Sequence, residues 1–122
     1  MAKTILLVDD DALLRKALRA GLTEKGYIVE EAENGKDGLY QALDTHPDLI
    51  VADVRMPEMD GLTMIEQLRA DEWGKSAAVI VLSSDDSTPA VNKALVAGVT
   101  TYLDKSEAPE TIVSQIALTI GQ

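Results

Sequence analysis

Residues 49–61, LIVADVRMPEMDG, decide the fold of this chain. An apolar run ends abruptly at Asp53, and the residues that follow include Pro57 and Gly61. Continuous apolar runs of this kind are typical of strands that are buried on both faces of a parallel sheet. Proline and glycine favour turns and loops. The stretch therefore predicts a central strand that ends at Asp53, followed by a loop that holds the Asp53 carboxylate in the open.

Similar apolar runs recur along the chain and alternate with amphipathic segments. We predict strands at residues 4–8, 28–32, 49–53, 78–83 and 101–104, and helices at residues 11–25, 35–45, 61–71, 88–97 and 107–119. Strands and helices that alternate in this way form a parallel sheet with helices on both faces. The sequence therefore predicts an α/β fold with a doubly wound, five-stranded parallel sheet, in which the more polar segments 28–32 and 101–104 lie at the edges.

The composition is typical of one acidic globular domain, and we expect residues 1–122 to form it. The formal net charge of −10 disfavours direct binding to nucleic acid or to an anionic membrane. No apolar run approaches the ~20 residues of a membrane-spanning helix, and the N-terminus becomes acidic too early for a signal peptide. The chain has no cysteine, so disulfides are excluded. These features are compatible with a cytoplasmic protein.

Four of the predicted strands deliver polar residues to one edge of the sheet. The first strand is followed by Asp9 and Asp10, the third ends at Asp53, the fourth ends at Ser83, and Lys105 follows the fifth. Ligands of such sheets bind beyond the carboxyl ends of the strands. We therefore expect these side chains to converge on one crevice, which is the candidate functional site.

The chemistry expected of this group is phosphoryl transfer. Neighbouring carboxylates repel one another, and a hard divalent cation with oxygen ligands relieves that repulsion. Mg²⁺ fits best because it keeps several waters and commonly bridges to phosphate, and Mn²⁺ is the alternative ion. An aspartate can itself accept a phosphoryl group, while the cation, Lys105 and Ser83 would stabilise the charge of that group. Zinc and copper are disfavoured because His46 is the only histidine.

Several of these residues also have structural explanations. Asp11 is expected to cap the first helix rather than to bind metal. Ser83, taken alone, could be a turn hydroxyl, and Tyr102 could be an ordinary aromatic residue of an edge strand. A lysine directly before a helix opposes the helix dipole, which favours a nearby anion as the partner of Lys105.

Four motifs, taken together and in this order, resemble the receiver domain of two-component response regulators. They are VDDD at residues 8–11, DVRMPEMDG at 53–61, VLSS at 81–84 and YLDK at 102–105. The resemblance covers nearly the whole chain and implies a CheY-like, flavodoxin-like sheet in the strand order 2-1-3-4-5. It also implies a phosphoprotein of phosphorelay signal transduction. We expect a stand-alone receiver, because no linker residues follow the last predicted helix.

The resemblance implies that Asp53 becomes an aspartyl phosphate. The donor would be a sensor histidine kinase or a histidine phosphotransfer protein, and Ser83 and Lys105 would contact the phosphoryl oxygens. Tyr102 matches the aromatic position that changes rotamer in the family. The surface formed by the fourth helix, the fifth strand and the fifth helix would therefore change on phosphorylation and bind an effector protein. The sequence does not identify that effector. With the slow self-dephosphorylation that the resemblance implies, the chain would be a signalling phosphoacceptor rather than a turnover enzyme.

The resemblance also implies the metal ligands and the residues that tune the phosphoryl lifetime. Asp10, Asp53 and the backbone carbonyl of Arg55 would ligate Mg²⁺ directly, whereas Asp9 would act through a bound water. Arg55 and Asp85 match the positions that flank the approach of the hydrolytic water. Their opposite charges predict an ion pair that shields the phosphoryl group. The last predicted helix has no basic residue, so a charge-paired dimer is disfavoured and a monomer or weak dimer is expected.

The residue after Lys105 departs from the family pattern, as does Ser84, where the family usually has alanine or glycine. Ser106 follows Lys105, where most receivers have a proline after a cis peptide bond. A cis bond before another residue costs about 3 kcal/mol, so we predict a trans bond here. We also predict that Ser106 caps the last helix.

Three other functions suit the architecture less well. An aspartate-nucleophile phosphatase normally carries a second aspartate two residues after the nucleophile, where this chain has Arg55. A flavin or nucleotide carrier needs a first loop rich in glycine or hydroxyl groups, whereas residues 9–12 are DDDA. A receiver that serves only as an unphosphorylated interaction module would not need the complete acceptor set.

Overall fold

The computed structural model describes residues 2–56, 58–84 and 88–121, in which five strands alternate with five α-helices. The strands are β1 (Thr4–Val8), β2 (Ile28–Ala32), β3 (Leu49–Asp53), β4 (Val79–Ser83) and β5 (Thr101–Asp104). The helices are α1 (Ala12–Glu24), α2 (Gly35–Thr45), α3 (Gly61–Arg69), α4 (Thr88–Val96) and α5 (Pro109–Ile120). Every predicted strand and helix is confirmed, with ends that differ by at most two residues. None of the described helices is long and apolar enough to span a membrane.

The five strands form one parallel sheet in the order β2-β1-β3-β4-β5. The predicted doubly wound fold and its strand order are therefore confirmed, with β2 and β5 at the edges. Consecutive strands β1 and β2 lie side by side, and the chain then returns to the other side of β1 to form β3. Sheets of this type have a crevice at the carboxyl ends of the strands where the order reverses. That crevice lies between β1 and β3.

The sheet divides the core into two clusters. Ile5 and Leu7 of β1 face the cluster that α1 and α5 cover, whereas Leu6 and Val8 face the cluster that α2, α3 and α4 cover. Successive side chains of a strand point to opposite faces, so a strand covered on both sides needs a continuous apolar run. All residues of β3 and β4 are buried. Their burial leaves little freedom in the position of the last residue of each strand.

The first helix is capped as the sequence predicts. The carboxylate of Asp11 accepts a hydrogen bond from the Leu14 N–H at 3.1 Å, which confirms Asp11 as the cap of α1. Past the other end of α1, Gly26 has a φ of 98°, a left-handed conformation that favours glycine.

The connection into the last helix differs from the prediction. The backbone N–H and the hydroxyl of Ser106 both donate to Asp104 Oδ1, at 2.9 and 2.7 Å. Ser106 is thus part of a turn after β5, and the prediction that it caps the last helix is wrong. Helix α5 begins with Pro109, whose ring supplies the helical φ without a capping side chain. The predicted trans bond after Lys105 is confirmed, since no peptide bond among the described residues is cis.

A short 3₁₀ helix at Gly74–Ser76 was not predicted. The Asp71 carboxylate accepts hydrogen bonds from the N–H groups of Trp73 and Gly74, at 3.0 and 3.2 Å, and so turns the chain after α3. The Trp73 ring stacks on His46, with the ring centroids 4.3 Å apart. Because His46 is the residue at the C-terminal end of α2, Trp73 packs against a helix end.

Arg69 connects the C-terminal ends of α3 and α4. Its guanidinium donates to the carbonyls of Gly74 and Ala77, each at 2.7 Å, and to those of Ala97 and Gly98, at 3.2 and 2.9 Å. The carbonyls at the end of a helix carry partial negative charge, which a cation stabilises. Partial burial lowers the pKa of Arg69.

Replacement of Arg69 should therefore destabilise the fold. We expect Arg69→Met to lower the free energy of unfolding by about 2 kcal/mol, because carbonyls that a charged donor satisfies would lose their partner. Urea unfolding followed by circular dichroism measures the change. Lys75→Met is the matched control, since Lys75 is an exposed cation in the same connection and should change the stability by less than about 0.5 kcal/mol. Equal stability of both variants would show that the carbonyls are satisfied by water without Arg69.

Candidate functional site

The structure brings the predicted polar residues together at the carboxyl ends of the strands. Asp9 directly follows β1, Asp53 ends β3, Ser83 ends β4, and Lys105 directly follows β5. Asp9, Asp53 and Ser83 are only 3%, 5% and 5% exposed, whereas Asp10 is exposed. Three buried polar side chains beside one exposed carboxylate can take up a charged ligand from solvent.

Lys105 contacts two of the three carboxylates. Its Nζ lies 2.7 Å from Asp53 Oδ2 and 3.2 Å from Asp9 Oδ1. Asp9, Asp10 and Asp53 each offer one carboxylate oxygen, and these oxygens lie within 4.8 Å of one another. Three carboxylate oxygens at this separation could hold a metal ion. The nearby ammonium group would face any anion that joined that ion.

The loop after β3 is held close to Asp53. The Val54 N–H donates to the Leu82 carbonyl at 3.2 Å, and the Val54 carbonyl accepts from the Gly61 N–H at 2.9 Å. A Cβ on Gly61 would lie 2.2 Å from the Asp53 carbonyl oxygen, so only glycine allows this approach. The Arg55 N–H points to Asp53 Oδ1 at 3.4 Å, while the Arg55 residue is exposed. Asp53 is thus held by its own loop as well as by its strand.

Asp9 is fixed by backbone contacts that leave one oxygen unused. Its N–H donates to the Ala32 carbonyl at 3.1 Å, and its Oδ1 accepts from the Asp11 N–H at 2.8 Å. Asp9 Oδ2 is buried and has no hydrogen-bond partner among the described residues. An unsatisfied buried carboxylate oxygen is costly, so its presence calls for an explanation. A cation with its bound water fits this oxygen and the all-oxygen donor set around it.

The ionisation of Asp9 and Lys105 reflects their burial and their mutual contact. Burial raises the pKa of Asp9, and the charge of Asp53 raises it further, whereas the Asp11 N–H and the Lys105 ammonium offset only part of the rise. Burial by itself lowers the pKa of Lys105, but the contacts with Asp53 and Asp9 outweigh it and raise that pKa. Lys105 therefore stays charged, while Asp9 carries the cost of a buried negative charge.

Ser83 and Tyr102 lie on neighbouring strands near this group. The Ser83 carbonyl accepts from the Lys105 N–H at 3.0 Å, which joins the end of β4 to the residue that follows β5. Tyr102 of β5 is half-buried and packs against the cluster that α2, α3 and α4 cover. Asp85 lies outside the described residues, so the predicted pair of Arg55 and Asp85 stays a prediction.

One residue that contacts this site was missed from the sequence. The Arg15 guanidinium, on α1, donates to the backbone carbonyl of Asp9 at 2.5 Å and to the Glu31 carboxylate at 3.1 Å. The only signal was its position one turn after Asp11, which places it near the same loop. Nothing in the sequence pattern indicates that Glu31, at the edge strand β2, would be its partner.

Comparison with known proteins gives one consistent result. The profile of the family described as response regulator receiver domain matches residues 5–117. The chain is 38% identical over 116 residues to response regulator MprA of Mycolicibacterium vanbaalenii, a match that covers 95% of this chain and 49% of the relative. The chain thus spans about half the length of the curated relatives that it matches.

Solved structures of the same kind have closely similar folds. Chemotaxis response regulator CheY4 of Vibrio cholerae has a TM-score of 0.91 at 28% identity, covering 98% of this chain and 99% of that chain. The receiver domain of Francisella response regulator 1452 has a TM-score of 0.87 at 27% identity, covering 97% of this chain and 96% of that chain.

The raised pKa of Asp9 predicts how the metal-free protein responds to pH. The folded chain holds a proton on Asp9 more tightly than the unfolded chain does. The free energy of unfolding therefore falls as the pH rises from 3.8, the ordinary pKa of this carboxyl group, through its raised pKa in the folded chain. Asp9→Asn removes this loss. We therefore expect the variant to unfold at a higher temperature than the wild type at pH 7, with a difference that shrinks towards about pH 4.

Thermal unfolding in EDTA across this pH range measures the effect. Asp44→Asn is the control, because Asp44 is exposed and makes no side-chain hydrogen bond with a described residue. It should leave the midpoint unchanged at every pH. A lower midpoint for Asp9→Asn at pH 7 would mean that the contact with Lys105 outweighs the burial of the charge.

Proposed function

Because this chain belongs to the response regulator receiver domain family, we propose that Asp53 accepts a phosphoryl group in a Mg²⁺-dependent reaction. Receiver domains receive such groups from histidine kinases or phosphotransfer proteins, and we infer that a protein of one of these classes is the donor. The observation that carries the proposal is the position of Lys105 Nζ, 2.7 Å from Asp53 Oδ2 and 3.2 Å from Asp9 Oδ1. A charged amine that contacts the acceptor oxygen would also contact the incoming group.

The transfer would proceed by displacement at phosphorus. A carboxylate oxygen of Asp53 forms the new bond to phosphorus, and the bond from phosphorus to the imidazole nitrogen of the donor breaks. The electron pair of the broken bond stays with that nitrogen. Lys105 would stabilise the negative charge on the transferring oxygens, and the hydroxyl of Ser83 would donate a hydrogen bond to one of them.

The acidic cluster would hold the ion that this reaction needs. Asp10, Asp53 and the backbone carbonyl of Arg55 would ligate Mg²⁺, with Asp9 acting through a bound water. The buried, unsatisfied Asp9 Oδ2 and the absence of any nitrogen or sulfur ligand from the cluster support this ion. When bound, Mg²⁺ would supply positive charge that offsets the three carboxylates and the phosphoryl oxygens.

The surface that would respond to phosphorylation is formed by α4, β5 and α5. Ala94 is buried on α4, whereas Leu95 and Val96 are 59% and 89% exposed, so the helix offers apolar side chains to a partner. Tyr102 would change its rotamer when Ser83 engages the phosphoryl group, and its balance between two arrangements would shift accordingly. The partner on this surface would be an effector protein, bound by a monomer or weak dimer of this chain.

Phosphorylation of Asp53 is tested by intact mass. We expect incubation of the chain with acetyl phosphate and Mg²⁺ to add one phosphoryl group, which peptide mapping should place at Asp53. Asp53→Asn should abolish the gain because an amide is not a competent acceptor. Asp48→Asn, directly before the first residue of the same strand, should keep it. An undiminished gain in Asp53→Asn would refute the assignment of the acceptor.

The lifetime of the phosphoryl group tests the proposed roles of Arg55 and Asp85. If these side chains shield the phosphoryl group as a pair, Arg55→Ala and Asp85→Ala should each dephosphorylate faster than the wild type. The double variant should gain little more, because either loss already opens the path of the water. A tenfold change needs only about 1.4 kcal/mol in the barrier. Slower loss in Asp85→Ala would mean that this carboxylate assists the water instead.

A further inference from the structure

The two peptide units that flank Asp9 are each held by one hydrogen bond, and the unit between Asp9 and Asp10 is held by Arg15. The Asp9 N–H donates to the Ala32 carbonyl at 3.1 Å, and the Asp9 carbonyl accepts from Arg15 Nη1 at 2.5 Å. A peptide unit is planar, so the direction of the Asp9 carbonyl also sets the direction of the Asp10 N–H. The contact with Arg15 therefore restricts the angle at which the Asp10 side chain leaves the backbone.

Arg15 is itself held in place by a carboxylate. Its Nε lies 3.1 Å from Glu31 Oε1, and Arg19 Nη1 lies 2.6 Å from Glu31 Oε2. The Arg15 side chain is only 15% exposed, compared with 56% for Arg19. Burial by itself raises the pKa of Glu31, but the hydrogen bonds from Arg19 and Arg15 outweigh it and lower that pKa. The anchor of Arg15 is therefore charged at neutral pH.

We propose that Arg15 is a positioning residue of the metal site: held by Glu31, it orients the peptide between Asp9 and Asp10 so that the Asp10 carboxylate meets those of Asp9 and Asp53. This inference rests on the proposed function, since it concerns the same divalent cation. The planar fork of a guanidinium suits the task, because one edge bonds the carbonyl while Nε bonds the carboxylate. Lysine keeps the charge but has no such fork.

A positioning role and a purely electrostatic role of Arg15 predict opposite changes in Mg²⁺ affinity when the side chain is removed. The positive charge of Arg15 lies beside the acidic cluster and repels a divalent cation, so on charge alone its removal would tighten Mg²⁺ binding. If Arg15 positions Asp10, removal of Arg15 lets the Asp10 carboxylate adopt other orientations and weakens Mg²⁺ binding. Loss of a residue that orients a metal ligand commonly weakens metal binding 10- to 100-fold, and we expect about tenfold here.

Calorimetric titration of the intact chain with Mg²⁺ tests the proposal. Arg15→Met should raise the Kd about tenfold, and Arg15→Lys should give an intermediate rise. Arg19→Met is the matched control, because Arg19 contacts the same Glu31 carboxylate from the same helix and makes no hydrogen bond to the Asp9 carbonyl. It should keep the Kd within about twofold of the wild type.

A second readout separates positioning from other roles. The rate of phosphorylation by acetyl phosphate should reach the wild-type plateau in Arg15→Met at saturating Mg²⁺, with the half-saturating concentration raised by the same factor as the Kd. Thermal unfolding checks that the variants fold. If Arg15→Met does not fold, Arg15→Lys decides, since it keeps both the charge and the aliphatic chain.

The outcomes distinguish this inference from the proposed function. An unchanged or lower Kd in the Arg15 variants would overturn the positioning role, and so would a lower plateau rate with an unchanged Kd. A Kd raised equally by Arg19→Met would also overturn it, because the effect would then follow from charge or from Glu31 in general. If the wild-type chain itself binds no Mg²⁺, the proposed function fails as well.

Discussion

The contact of Lys105 with Asp53 and Asp9 is the interaction on which the rest of the site depends. Three carboxylates whose oxygens lie within 4.8 Å of one another repel, and two of the residues are almost fully buried. One ammonium group offsets part of that repulsion, yet the pKa of Asp9 stays raised. The site is thus left with an excess of negative charge, which the divalent cation of the proposed function would offset.

The strand that ends at Asp53 is firmly held, and the helix that follows the next strand presents an apolar outer face. Asp53 is positioned by a strand buried on both faces and by a glycine that packs against its carbonyl, so it has little freedom. Beyond β4, helix α4 exposes Leu95 and Val96, and its C-terminal end is tied to Arg69. Under the proposed function, a firmly held Asp53 beside a helix with an apolar outer face would convert a local change of charge into a change of surface.

The fold and the acidic cluster were predictable because they depend on local pattern and on one topological rule. Apolar runs located β1, β3 and β4, and the meeting of parallel carboxyl ends brought Asp9, Asp53 and Lys105 together. The short 3₁₀ helix was missed because it depends on the Asp71 side chain and on a close approach of Gly74 to the Leu68 carbonyl. The role of Ser106 was mistaken because α5 begins two residues later than predicted, at Pro109, which leaves Ala108 at the cap position and Ser106 in the turn that Asp104 closes.

The sequence by itself determined the order of strands and helices and the residue types at each strand end, because hydrophobic periodicity and turn residues act over short stretches of chain. Only the tertiary structure decided how those residues are oriented and charged. The contacts of Arg15 with the Asp9 carbonyl and Glu31 join α1, the first loop and β2, and no local pattern encodes such a contact. Likewise, the raised pKa of Asp9 arises from burial that exists only once the sheet and its helices have closed around it.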